Sequence, residues 1–276
     1  MNLWKLRFNM FTTLFLIIGM STLFVAFILS NLALPFNAFT LISYVIVINL
    51  VQWLIAPYII DKIYNVKEVK RDENPWLYTT VERLSGKMGI KMPKVMIANI
   101  PIPNAFAYGS IISGSRIALT STLIKTLNKG EIEAVIGHEL GHLKHKDAQI
   151  MMFVSLLPAI FYYIGYYFIY SSYYGNDREG SALSIIGLFS LVFYFILSLF
   201  GLFLSRQREY YADYESATNV ERGAEKLSTA LVKINTYYKT RNRTDSGAYS
   251  SFRALFISDP FEKLSLIHIS EPTRPY

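Results

Sequence analysis

The chain has 276 residues, 52% of them hydrophobic and only 17% charged, with a formal net charge of +7. This balance excludes an intrinsically disordered chain, which needs low hydrophobicity and high charge, and falls short of the about 25% charged residues of an ordinary soluble domain. With no cysteine anywhere, disulfide scaffolds, thiol catalysis and thiolate metal sites are excluded as well.

No charged residue occurs from Phe8 to Ile60. A membrane-spanning helix needs roughly 20 apolar residues, so this run predicts two, about Met10 to Leu34 and about Phe36 to Ile60, parted near Pro35. Lys5 and Arg7 ahead of the run have the form of a signal peptide. The run, however, exceeds an h-region of about 7–15 residues, and a second uncharged segment follows at once.

Asp61 to Asp147 carries 13 Lys/Arg against 9 Asp/Glu, the balance of a soluble segment. A helix is predicted from Pro75 to Lys87, where Trp76, Val81, Leu84 and Met88 recur at helical spacing, with Gly89 to end it. Extended stretches follow at Val95–Ala98, Asn104–Tyr108 and Arg116–Thr120, the last after the turn signal Ser113-Gly114-Ser115. A helix then runs from Lys129 to Lys144, with Glu131 and Glu133 in its first turn, where acid suits the dipole.

Two further uncharged stretches, Ala148–Asn176 and Gly180–Ser205, predict a third span at about Ile150 to Tyr170 and a fourth at about Ala182 to Leu204. From Arg206 the fourth continues as a helix to about Thr218. Another is predicted from Glu221 to Tyr238, and Arg241 to Ser251 reads as a polar loop. The organisation is thus 1–60 a transmembrane hairpin, 61–149 the first part of a cytoplasmic domain, 150–205 a second hairpin, 206–264 the rest of that domain, and 265–276 a tail.

Lysine and arginine placement sets orientation. Lys5 and Arg7, then Lys62, Lys67, Lys70 and Arg71, then Arg206 and Arg208 all fall on one side. The loop holding Asp177, Arg178 and Glu179 falls on the other. The basic side, with both termini, is expected to be cytoplasmic at the plasma membrane. The net charge thus reads as topology and lipid-facing charge. No basic run interleaves with aromatics on a nucleic-acid fold, so no nucleic-acid partner is expected.

The chemistry lies in His138-Glu139-Leu140-Gly141-His142, which holds two of the chain's four histidines. Residues i and i+4 share one helix face, so both imidazoles can reach one Zn²⁺ at about 2.0–2.1 Å. The glutamate beside the first can accept a proton from the attacking water. A hydrolytic zinc site needs a third protein ligand and an open position. Glu209 and Asp213, again i and i+4, lie at the exit of span four, where Glu209 would complete the ligand set and Asp213 would hydrogen-bond a ligating imidazole. His145 reads as exposed or interfacial. Asp147 reads either as fixing a neighbouring element or as solvated surface. Arg206, Arg208, Tyr210 and Tyr211 are near by sequence, without an assignable oxyanion role. Tyr162, Tyr163, Tyr166, Tyr167, Tyr170, Tyr173 and Tyr174 read mainly as interface aromatics.

On His138-Glu139-Leu140-Gly141-His142, Glu209 with Ala212 and Asp213, and Asn104-Ala105-Phe106-Ala107, the sequence resembles the HtpX-type membrane zinc metalloproteases, gluzincin relatives of the CAAX prenyl proteases, over about Met1 to Leu264. The resemblance implies zinc ligands His138, His142 and Glu209, one Zn²⁺ per chain, and a catalytic Glu139. It implies a mainly α integral membrane protein with four transmembrane helices and a cytoplasmic α+β zincin-like domain with a small sheet. The expected activity is degradation of damaged membrane proteins or peptides on the cytoplasmic side, with the lipid bilayer as surroundings and the oligomeric state left open. It also implies that Asn104, Ala105, Phe106 and Ala107 lead into an edge strand that holds an extended substrate.

Two rivals stand beside this reading. A CAAX-type protease shares the ligands, but four spans are too few for the large intramembrane chamber expected of those enzymes. A non-catalytic zinc-binding membrane scaffold would not need Glu139. The C-terminal part departs from the family's pattern. Ile257–Leu264 lacks the expected His, and from about Ser265 the chain resembles nothing in the family, reading as non-native translated adapter sequence in which His268 is a poor ligand.

Overall fold

The computed structural model describes residues 38–174 and 180–240. In chain order these form α1 (Ala38–Ile63), β1 (Val66–Glu68), α2 (Pro75–Met88), β2 (Lys94–Ala98), β3 (Ala105–Ser110), β4 (Gly114–Thr120), α3 (Ser121–Thr126), α4 (Lys129–Lys144), α5 (Asp147–Tyr174), α6 (Gly180–Asn219) and α7 (Gly223–Thr240). The predicted first span, about Met10 to Leu34, lies outside the described residues. So do the loop after Thr240, the departure at Ile257–Leu264 and the tail from Ser265.

Three described helices are long and apolar enough to cross a membrane: Ile42–Ile63, Asp147–Tyr173 and Leu183–Asn219. Their large apolar side chains point outward, among them Val51, Ile55, Phe153, Phe189, Phe193, Phe200 and Phe203. A water-soluble helix of this length would bury such a face.

Backbone contacts divide the described residues into two compact units, 38–48 with 157–174 and 180–196, and 49–156 with 197–240. The second holds the sheet. Its strand order is β1-β2-β4-β3, with β2 and β4 parallel and the two outer pairs antiparallel, so β1 and β3 are the edges. Period-two alternation gives the sheet two apolar faces. Val95, Ile117 and Leu119 face one core with Leu77, Val81 and Leu84 of α2, Val135, Ile136 and Leu140 of α4, and Leu227 and Ile234 of α7. Met96, Ala118, Phe106 and Tyr108 face the other, with Tyr64, Ile100 and Ile102.

Local chemistry fixes the helix ends. Asn74 caps α2 by accepting from Leu77 N, Pro75 opens it, and Gly89, at φ 70, closes it in the left-handed region that glycine adopts without a Cβ clash. At α4, Asn128 and Glu131 form a capping box, each side chain accepting from the other's backbone N–H at 2.9 Å. Glu131 is buried and also holds Lys233 of α7 at 2.7 Å.

The helix carrying Glu209 reads from sequence as a continuation of span four. α6 is indeed a single helix from Gly180 to Asn219. Between α4 and α5, however, a two-residue break at His145 and Lys146 intervenes, with Lys146 at φ 55.

Candidate functional site

α4 carries His138 and His142 one turn apart on one face. Their rings meet edge-on, centroids 4.8 Å apart, with Nε2 atoms 3.2 Å from each other. α6 brings Glu209 to the same point, its Oε2 lying 3.6 Å from His138 Nε2 and 3.8 Å from His142 Nε2. Ligands held tetrahedrally at about 2.0–2.2 Å from one ion stand about 3.3–3.6 Å apart. The three donor atoms therefore fit a zinc-sized metal, and two imidazoles with a carboxylate are the donor set of a hydrolytic site.

Small residues allow this convergence. Gly137 and Gly141 make a flat stripe on α4, against which α6 lies with its backbone. A Cβ at Gly141 would come 2.9 Å from Ala212 Cα, and one at Gly137 would come 3.3 Å from Ser216 Cα. Ser216 is fully buried and its Oγ donates to Ala134 O at 2.7 Å. Gly141 is a free position of the motif, yet it is what lets the third donor reach the histidines.

Each histidine has its own aspartate. Asp147 Oδ2 lies 2.6 Å from His142 Nδ1, fixing the ring with Nε2 toward the cluster. Arg208 Nε lies 3.0 Å from the same oxygen. Asp213 Oδ1 lies 2.9 Å from His138 Nδ1, at ion-pair distance but off the line of a full hydrogen bond. Such outer contacts orient ligating imidazoles and raise their basicity. Burial disfavours charge on His138, but Asp213, Glu209 and Glu139 outweigh it and raise its pKa to about 10. So acid-rich a setting suits a divalent cation.

Glu139 is buried beside this cluster and faces β3. Burial raises its pKa above the ordinary range, against the opposing charges of His142 and His138 and a hydrogen bond from the backbone of Ala107. The bond from Thr120 N to Asn104 O sets the phase of the β3–β4 ladder. In an antiparallel pair, alternate residues bond the partner. Phe106 and Tyr108 therefore bond β4, while the backbone groups of Ala105 and Ala107 turn to the open edge. That edge, the histidines, Glu139, Arg208 and Glu209 line a cleft of about 210 Å³.

The structure therefore brings His138, Glu139, His142, Glu209, Ala105, Phe106 and Ala107 to one cleft, with Asp213 against His138. Asn104 is set apart. It is buried, its N–H donates to Thr120 Oγ1, and it does not line the cleft. Of Arg206, Arg208, Tyr210 and Tyr211, Arg208 alone lines the cleft; Tyr210 and Tyr211 are exposed around a separate hollow with His145. His145 is partly buried, and its Nε2 lies 3.1 Å from buried Glu215, which also holds Lys144 at 2.8 Å and is thereby tied up away from the histidines. Sequence reasoning left Asp147 undecided, Gly141 unremarked and Arg208 unassigned. The available signals were an acid five residues past His142 and glycines at i and i+4.

Fold and site together define the class, a chain with apolar helices long enough to cross a membrane and a cluster of two histidines and a carboxylate that could hold a metal. The chain belongs to peptidase family M48, whose profile matches residues 71–272. Among its relatives, Protease HtpX homolog 2 of Saccharolobus solfataricus is 42% identical over 203 residues, covering 71% of this chain and 62% of that one. Protease HtpX homolog of Archaeoglobus fulgidus is 36% identical over 256 residues, covering 91% of this chain and 74% of that one. The chain thus spans less than two thirds of the Saccharolobus relative's length. The crystal structure of S. mikatae Ste24p shares the fold at a TM-score of 0.52 and 20% identity, over 84% of this chain and 66% of that one.

Proposed function

We propose that the protein is a zinc-dependent endopeptidase, one metal per chain, that cleaves damaged or misfolded membrane proteins from the cytoplasmic side of the plasma membrane. The observation that carries this reading is the convergence of His138 Nε2, His142 Nε2 and Glu209 Oε2 to within 3.8 Å, with Glu139 buried beside them.

In this reading His138, His142 and Glu209 hold the metal, oriented by Asp213 and Asp147. Bound zinc supplies a Lewis acid that polarises the scissile carbonyl and acidifies the attacking water. Glu139 takes the water's proton and delivers it to the leaving amine. Its burial favours the protonated form and so strengthens it as the base that takes that proton. Arg208 lines the same cleft, paired with Asp147. An extended peptide pairs with the open edge of β3 at Ala105 and Ala107, through main-chain hydrogen bonds that tolerate many sequences.

The cytoplasmic side and a fourth span at about Met10 to Leu34 rest on the one-sided basic clusters and the uncharged run. Residues 61–149 and 206–264 make up the catalytic domain, between hairpins 1–60 and 150–205. Substrates that are membrane proteins suit the continuity of α6, which carries Glu209 on the same helix as an apolar span.

The test is degradation of casein and of an unfolded membrane protein by the purified protein in detergent, with added zinc and with chelator. Zinc-dependent cleavage of both is expected. Cleavage that persists in chelator, or none under any metal, would overturn the proposal.

A further inference from the structure

The turn joining β3 to β4 is built the wrong way round for water. Tight turns in water present polar residues and glycine. Here Ile111 and Ile112 form the tip, 81% and 67% exposed, while the serines on either side are buried. Those serines satisfy the turn from within. Ser110 N donates to Ser113 Oγ at 2.9 Å, Ser113 N to Ser110 Oγ at 3.2 Å, and Ser113 Oγ to Gly114 O at 3.1 Å. A turn that ties up its serines from within and points branched apolar side chains outward suits an apolar medium, where unsatisfied polar groups are expensive.

The hairpin's neighbour says which medium this is. It lies along α1 through contacts at three of its residues. Asp61 bonds Tyr108 OH at 2.5 Å and pairs with Arg116. The Arg116 guanidinium lies over the Tyr58 ring, 5.4 Å from its centroid. Ser110 Oγ reaches Leu54 O at 3.4 Å. Asp61 is the first charge after the run beginning at Phe8. Leu54 is seven residues deeper, about 10 Å along a helix at 1.5 Å per residue. At that depth α1 exposes Leu50, Val51 and Ile55. The hairpin thus runs from a charged ring at Asp61 and Arg116 down to a tip level with the lipid-facing surface of α1.

We propose that Ile111 and Ile112 are seated in the bilayer, at the boundary between headgroups and acyl chains beside α1, so that the edge strand lining the cleft is anchored to the membrane. The depth agrees with the about 5–10 Å to which interfacial apolar groups penetrate. The inference rests on the reading of α1 as a membrane span. Its consequence is that β3 meets a substrate at the bilayer surface, before the peptide has travelled into bulk water.

Because the chain has no native cysteine, single probes are clean. Ile112→Cys, Val51→Cys and Lys91→Cys are each labelled with an environment-sensitive fluorophore. Each is reconstituted at full length into phosphatidylcholine–phosphatidylglycerol vesicles carrying nitroxide lipids at shallow or deep positions. Val51 reports the span and exposed Lys91 reports water. Ile112 is expected to be blue-shifted and quenched, most strongly by the shallow nitroxide. A quenched Val51 with an Ile112 probe that matches Lys91 would overturn the anchoring while leaving the span intact. An Ile112 probe that is blue-shifted but not quenched would mean that protein covers the tip, which also overturns it. An unquenched Val51 would overturn the span and the anchoring together. None of these outcomes depends on whether the protein cleaves peptides.

Discussion

Replacing Gly141 by alanine tests how the third donor reaches the histidines. The added methyl would lie 2.9 Å from Ala212 Cα, 3.1 Å from Glu215 Cβ and 3.3 Å from Ala212 O. Carbon pairs settle at about 3.5–4.0 Å, so α4 and α6 must part by about 0.6 Å or more at this level. Neither the Ala212 backbone nor a Cβ can swing aside as the end of a flexible side chain would. Glu209 is one turn from Ala212 on the same helix and moves with it, whereas metal sites tolerate departures of only about 0.2 Å. Overpacking of this kind costs about 1–3 kcal/mol, which corresponds to an affinity loss of about 5- to 150-fold. The assay is zinc competition against a chromophoric chelator, with circular dichroism to show that the helices persist. Gly86→Ala is the control. Nothing lies within 4 Å of its Cβ position on α2, and the substitution should stabilise by about 0.4–1 kcal/mol with zinc affinity unchanged. Wild-type zinc affinity in Gly141→Ala would refute the argument that this contact sets the position of Glu209.

Two further expectations follow from the groups around the histidines. Asp147→Asn keeps the shape but removes the charge against His142 Nδ1 and Arg208 Nε, and should weaken zinc binding by about 10- to 100-fold, while the metal-free protein loses some thermal stability because the buried pair with Arg208 goes too and circular dichroism shows that the helices persist. His138 is held protonated through neutral pH by its raised pKa of about 10, so its proton must leave when metal enters. Calorimetry at pH 7 in buffers of different ionisation enthalpy should show proton release on zinc binding, and affinity should rise with pH toward that value. In the metal-free protein the sign is opposite. A raised pKa adds stability that is full below the unfolded value of about 6.5 and lost as pH rises through the folded one.

What could be read from sequence was whatever repeats at short range. Paired histidines one turn apart, and Glu209 with Asp213 one turn apart, each make a helix face that needs no tertiary knowledge. The long apolar helices predicted from Phe36, Ile150 and Ala182 were legible because charge is excluded for longer than a soluble core requires, and α1, α5 and α6 occupy these places. The Asn104–Ala107 stretch was placed beside the site by resemblance, and the ladder phase then separates Ala105 and Ala107, at the open edge, from Asn104, which is spent on Thr120.

What stayed hidden depends on contacts between elements. Asp147 lies just past the break between two predicted helices, and its contact with His142 depends on the left-handed Lys146 between them. The value of Gly141 lies in a neighbouring helix 71 residues away in sequence, at Ala212. The three-residue β1 is too short to show alternation and exists only through its pairing with β2. α3 is a six-residue helix capped by Thr120, which also receives Asn104, so its start coincided with a strand's end. The hairpin tip was marked as a turn by Ser113-Gly114-Ser115, but nothing local distinguished a turn in water from one facing an apolar medium.

The most direct test of the central claim is zinc content and peptide cleavage measured together on Glu139→Gln and Glu209→Gln. Glu139→Gln keeps the shape and a hydrogen bond but loses the base, so zinc should remain at one per chain while turnover falls by roughly 10²–10⁴. Glu209→Gln replaces a charged donor by a weak neutral one, so zinc itself should be lost, and turnover with it. Cleavage by Glu139→Gln at the wild-type rate, or full zinc and activity in Glu209→Gln, would contradict the assignment of base and third ligand on which the account stands.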